Sequence, residues 1–191
     1  EKVRREIAIM KKINHPNVVQ LKEVMDDENS RKIYLVLEYL ERGEVKWQRA
    51  PGVPLMSISE SMKVFRDVVL GLEYLHYQGI VHRDIKPANL LIAGNGAVKI
   101  SDFGVSFASS LKTGEQDDYD LAKSAGTPAF LAPELCGFSM DDKQHPKINY
   151  KIDIWALGVT LYCFLFGKLP FWAKNEFELF DVICHEELDI P

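Results

Sequence analysis

Cysteine is scarce in this chain: Cys136, Cys163 and Cys184 are the three among 191 residues. No two stand at C-x-x-C spacing, and an odd, sparse set fits a reducing compartment rather than a disulfide framework. They are expected to be buried thiols that behave as small hydrophobes. A long hydrophobic run is missing too. The most apolar stretch, Ile154 to Phe166, falls well short of the ~20 residues that cross a bilayer and reads as a buried core helix. Positive charge is not in excess. With 23 Lys and Arg against 28 Asp and Glu, the net charge of −5 excludes a basic nucleic-acid or membrane-surface binder. There is no signal-peptide pattern, repeat or low-complexity tract. A cytoplasmic location, with neither nucleic acid nor membrane as partner, is expected.

What is present suits one soluble globular unit: 47% of residues are hydrophobic and 27% charged. The stretch that organises it is Ile80 to Gly104, IVHRDIKPANLLIAGNGAVKISDFG. His82-Arg83-Asp84 is followed by Asn89, and Asp102-Phe103-Gly104 comes shortly after. Between them lie two apolar strand patterns, Leu90 to Ile92 and Ala97 to Ile100, around Gly94-Asn95-Gly96. Asn-Gly between apolar runs predicts a hairpin. A hairpin sets its outer flanks side by side, so Asp84, Asn89 and Asp102 are expected to converge.

Such a convergence suits phosphoryl transfer, which needs hard oxygen ligands for Mg²⁺ and one carboxylate to orient the attacking hydroxyl. In H-R-D-x-x-x-x-N followed by D-F-G, Asp84 takes the hydroxyl proton while Asn89 and Asp102 hold metal. With these motifs the sequence resembles the eukaryotic protein kinases. GTPAFLAPE, Gly126 to Glu134, adds the A-P-E that closes an activation segment in that family. GLEYLHYQGIVHRDIKPANLLI, GTPAFLAPE and ALGVTLYCFLFGKLPF are similar to the calcium/calmodulin-dependent protein kinase kinases and their fungal and plant relatives that activate AMP-activated-type kinases.

The resemblance implies a truncated α+β protein-kinase-like fold, with a mostly helical large lobe and a small-lobe remnant of one helix and two or more strands. Residues 1–40 are then the C-terminal part of the small lobe and the hinge, and 41–191 a large lobe incomplete at its C-terminal end. It implies an ATP-dependent Ser/Thr kinase using Mg²⁺, whose protein substrate is the activation loop of another kinase. Calmodulin or a regulatory subunit would bind outside this segment. Lys86 is placed to reach the γ-phosphate. Thr127 is implied to bond Asp84 and Lys86, and Glu6 is the helix Glu that pairs with a phosphate-binding Lys. Around the nucleotide, Leu37 is the gatekeeper, the Glu38 and Leu40 backbones meet the adenine edge, Glu44 meets the ribose, Leu91 forms the floor, and Ser101 stands beside Asp102. His82 is assigned to packing behind Phe103, and Asp153 to accepting N–H bonds from the His82-Arg83 turn.

Departures from the family pattern bear on activity. No G-x-G-x-x-G loop and no strand Lys for Glu6 are present, and both ends read as cut. Activity is therefore expected of a longer protein and not of residues 1–191 alone. A pseudokinase or scaffold would share the fold but usually loses Asp84, Asn89 or Asp102. A small-molecule phosphotransferase would lack the GTPAF…APE segment. At the usual activation-loop acceptor position stands Lys123, with Phe107 where a basic partner is common, so activity without loop phosphorylation is expected.

The remaining elements follow from periodicity. Val3 to Ile13 predicts a helix, and Val18 to Met25 with Ile33 to Leu40 a strand pair. Glu41 to Glu44 reads as a loop, and Val45 to Met56, carrying two prolines, as irregular. Ser57-Ile58-Ser59-Glu60 is a capping box. It opens a helix whose core face is Ile58, Met62, Phe65, Val69, Leu72 and Leu75, with Gly79 its stop and His76 a surface residue near its end. Gly167 ends the apolar helix, and Asn175 caps the last one. Val105 to Gly126, with Thr113, Glu115, Asp117, Asp118, Tyr119, Asp120 and Ser124, reads as a mobile loop.

Overall fold

The helical spacing at the N-terminus becomes α1, Lys2–Met10. The computed structural model describes residues 2–26, 32–108, 126–136 and 149–191. The expectations for Thr113 to Ser124, Lys123 among them, lie outside the described residues. Helix α1 is shorter than its apolar pattern. Beyond Met10 the bonds tighten to three-residue spacing, Lys12 N to Ile9 O and Ile13 N to Met10 O, ahead of Pro16. Ile9, Met10 and Ile13 are still buried.

Two strands follow, β1 at Leu21–Asp26 and β2 at Ile33–Leu37, paired antiparallel from Leu21 opposite Leu37 to Asp26 opposite Ile33. Both are shorter than their apolar patterns. Val18 and Val19 serve another partner: Val19 N donates to Ile100 O at 2.9 Å, and Ile100 N to Asn17 O at 2.9 Å. The stretch expected to be irregular holds a second small hairpin, β3 at Gln48–Ala50 and β4 at Val53–Pro54. Its first strand is exposed throughout, so no two-residue burial period marked it.

Helix α2, Ile58–Tyr77, starts on the expected box: Ser57 Oγ accepts from Glu60 N, and the Glu60 carboxylate accepts from Ser57 N at 2.8 Å. Gly79, at φ 71°, follows its C-cap. Its buried face differs from the expected one. Ser61, Val64, Val68, Gly71, Leu72 and Leu75 are inside, while Ile58, Met62 and Val69 are exposed at 74%, 53% and 37%. A template counting only large apolar residues passed over Ser61 and Gly71. Gly71 is needed for contact: a Cβ there would lie 2.7 Å from Asn17 O and 2.9 Å from Ile100 Cδ1.

The central hairpin has the expected form, β6 at Leu90–Ile92 against β7 at Val98–Ile100, with Leu91 opposite Lys99. Short β5, Ile80–Val81, pairs with β8, Phe107–Ala108, so Phe107 is buried in the core. The short helix α3, Pro133–Cys136, starts at the proline of A-P-E. Helix α4, Lys151–Phe166, is mostly buried, though Ile154 is half exposed, and it stops at Gly167 in the left-handed region, φ 63°. Helix α5, Glu176–His185, is capped by Asn175, whose Oδ1 accepts from Glu178 N at 2.9 Å. The main core gathers α1, α2, the β6–β7 hairpin and α4, including Ile9, Leu72, Ile100, Phe103 and Phe164. All three cysteines are free thiols, and burial pushes Cys136 and Cys163 each up to about 12. Among the described residues no helix is long and apolar enough to cross a membrane.

Candidate active site

Asp84 lies between β5 and β6, on a turn whose backbone is fixed from below. The buried Asp153 carboxylate of α4 accepts from His82 N at 2.8 Å and from Arg83 N at 2.7 Å. Arg83 holds φ 75°, a strained value for a residue with a side chain. Two charge-assisted bonds to its turn are what keep it there. Burial lowers the Arg83 pKa to about 10, opposed by the Asp153 charge. His82 is fully buried. Its Nε2 donates to Ser101 O at 2.9 Å, its Nδ1 accepts from Asp84 N at 3.3 Å, and its edge meets Phe103 with ring centres 5.2 Å apart. The ring thus packs as the sequence led us to expect.

His76 requires correction. It is not a surface residue: its side chain is 14% exposed, and Nε2 stands 2.8 Å from Asp153 Oδ2. Late in α2, on the side facing α4, it gives the buried carboxylate a third partner. Its sequence signal was position alone, one helical turn ahead of Ile80.

Around Asp84 three side chains close in. Lys86 Nζ reaches Oδ2 at 2.7 Å and Thr127 Oγ1 at 2.6 Å. Thr127 Oγ1 donates to Oδ1 at 2.9 Å, and Asn89 Nδ2 to Oδ2 at 2.9 Å and to Asp84 O at 2.8 Å. Burial pushes the Asp84 pKa up, but Lys86, Thr127 and Asn89 together outweigh it and hold the carboxyl below its ordinary value. The group is a carboxylate at neutral pH, fixed in direction. A one-turn 3₁₀ helix, Pro87–Asn89, brings Asn89 back to it.

Asn89 and Asp102 are joined through Ser101, whose N and Oγ both donate to Asn89 O, at 2.9 and 3.0 Å. The Asn89 amide spends its NH₂ on Asp84, leaving Oδ1 without a hydrogen-bond partner among the described residues. Asp102 is exposed, at φ 64°, with Gly104 N on Oδ1 at 3.2 Å. These are hard oxygen donors that fit Mg²⁺, which prefers one or two protein ligands plus phosphate and water. No cluster of three His, Cys, Asp or Glu able to hold a metal alone occurs among the described residues. Burial, and then the Asp102 charge, raise the Glu6 pKa.

Two of the positions expected around a base are joined directly. Glu44 bridges Leu91 antiparallel, and Val45 N donates to Leu90 O at 2.8 Å. The Glu44 side chain pairs with Lys46 at 3.0 Å. Leu37 is 41% exposed, and Leu91 is half-buried. Leu40 N makes no hydrogen bond among the described residues, whereas Glu38 N is occupied by Gln20 O at 3.0 Å. Sequence reasoning missed Asn17, which is buried and donates Nδ2 to Val98 O at 2.9 Å. A polar residue after His-Pro reads as turn chemistry, and nothing local reveals that its amide faces a strand.

Comparison with known proteins accords with this geometry. A family model described as the protein kinase domain matches residues 1–190. Serine/threonine-protein kinase ssp1 of Schizosaccharomyces pombe is 62% identical over 100% of this chain and 29% of its own length. SNF1-activating kinase 1 of Saccharomyces cerevisiae is 54% identical over 100% of the chain and 19% of its own. A calcium/calmodulin-dependent protein kinase kinase of Caenorhabditis elegans is 47% identical over 99% of the chain and 33% of its own. The chain therefore spans a third or less of these relatives.

Proposed function

Because the chain belongs to the protein kinase domain family, we propose that the full-length protein transfers the γ-phosphoryl group of ATP to a Ser or Thr hydroxyl of a protein. The observation that carries this is the Asp84 carboxylate, ionised and oriented by Lys86, Thr127 and Asn89. Such a carboxylate accepts the proton of an approaching hydroxyl, and Lys86 beside it neutralises charge on the phosphoryl group. Mg²⁺ held by Asp102 and Asn89 would neutralise the phosphates, and Leu37, Glu38, Leu40, Glu44 and Leu91 would receive the nucleoside. Division at residue 40, with the hinge ending the smaller part, is part of the same proposal.

For the substrate, we infer the activation loop of another protein kinase. The name of one relative, SNF1-activating kinase 1, supports that choice. Calmodulin, named in another relative, would act on regions outside this chain. The reading is tested by giving the full-length protein Mg²⁺, γ-labelled ATP and a kinase activation-loop peptide with Thr or Tyr at the acceptor position. Label on the Thr peptide and none on the Tyr peptide is the expected result. Label on neither contradicts the reading.

A further inference from the structure

Glu38 sits just past β2, where the proposed base-contacting backbone begins, yet its side chain turns away to a specific partner. Lys99 Nζ lies 2.9 Å from Oε1 and 2.8 Å from Oε2. Oε1 also accepts from Gln20 N at 2.8 Å. The two side chains are 16% and 19% exposed, so this is not a solvent-screened surface pair. Lys99 belongs to β7, three residues before Asp102. Along the β6–β7 hairpin Leu90, Val98 and Ile100 are buried, and Leu91 with Lys99 forms the cross-strand pair on the opposite face. Lys99 therefore stands beside the proposed base floor and reaches from the strand that leads into the proposed metal-binding carboxylate to the segment proposed to meet the base.

We propose that Lys99 and Glu38 form a pin that fixes the base-contacting backbone relative to Asp102, making Lys99 a positioning residue for the nucleotide. This rests on the nucleotide site proposed above. The pair shares its strand with a second tie, the Asn17 and Val19 backbone bonds to Ile100. Asn17 adds a neutral side-chain bond there, Nδ2 to Val98 O at 2.9 Å; the pin is a charged cross-link between the two ends of the site. A ligand spanning both ends gains from having their separation set in advance. One that touches only the base end gains little.

The test is calorimetry on the full-length protein with two ligands, Mg²⁺-ATP and adenosine. Lys99→Met should weaken Mg²⁺-ATP about tenfold and leave adenosine within about twofold. The ATP KM should rise by a similar factor, more than kcat falls, with the peptide KM unmoved. Lys99→Arg, which keeps the charge, should recover most of the loss. Glu38→Gln keeps an acceptor for Gln20 N and should move affinity in the same direction. The double variant should be no worse than the poorer single one. Wild-type Mg²⁺-ATP affinity in Lys99→Met, or equal weakening of both ligands, overturns the pin. Should Lys99→Met fail to fold, Glu38→Gln and Lys99→Arg decide by the same comparison. A wild-type protein that binds neither ligand would instead overturn the nucleotide site itself, and the pin with it.

Discussion

His82 shows how much one buried ring fixes. Both ring nitrogens are in use in the neutral form: Nε2 donates to Ser101 O, and Nδ1 accepts from Asp84 N. A second proton would occupy Nδ1 and break the bond to the backbone of Asp84. Burial depresses the His82 pKa, against the opposing pull of Asp153 and other neighbours. The folded state thus binds fewer protons than the unfolded chain, and the stability this contributes is present above the unfolded value. It should be lost as pH falls below about 6.5. Asp84, also depressed, adds a loss of the same sign further down, below about pH 3.9. Thermal unfolding of the full-length protein from neutral pH to about pH 5 should show a falling midpoint, flattened in His82→Asn. A wild-type midpoint that does not move over that range would contradict the assignment.

Elements join at a few close approaches, and the tightest is at the end of α4. Gly167 is left-handed at φ 63°, and a Cβ there would lie 2.4 Å from Val53 C and 2.5 Å from Pro54 N. Gly52 N donates to Gly167 O at 2.8 Å, so the β3–β4 hairpin is seated on that turn. Gly167→Ala combines backbone strain with a clash against backbone, and should destabilise by about 2 kcal/mol or more, read as a shift in urea midpoint. An unchanged midpoint would show that the hairpin moves aside freely. Elements with strong local signals were legible in the sequence: the Ser57–Glu60 box, the Asn-Gly hairpin, Gly79, Gly167 and the Asn175 cap. The β3–β4 hairpin was not, because backbone pairing with no buried face leaves no period. The buried stripe of α2 was misread at small or polar Ser61 and Gly71, the latter packed against Asn17 and Ile100, distant in sequence. His76 and Asn17 were missed for the same reason, since each is defined by its partner, Asp153 or Val98.

Across the whole molecule, one hairpin sets the geometry of the candidate site. Strand β6 continues from the turn that holds Asp84 and Asn89, and β7 runs into Asp102. Helix α4 reaches up from the core through Asp153 to hold that turn. Thr127, distant in sequence, returns to close the group around Asp84. The convergence of Asp84 with Asn89 was legible because motif spacing reports it, and that with Thr127 because the family resemblance implies it; the pairing of Glu38 with Lys99 was not, because a single Glu and a single Lys carry no spacing signal. The account stands on Asp84 as the carboxylate that takes the hydroxyl proton. The direct measurement is Asp84→Asn in the full-length protein, comparing kcat for peptide phosphorylation with Mg²⁺-ATP affinity. A fall in kcat of at least ~10²-fold with nucleotide affinity within about twofold is predicted. Near-normal turnover by the variant would contradict it.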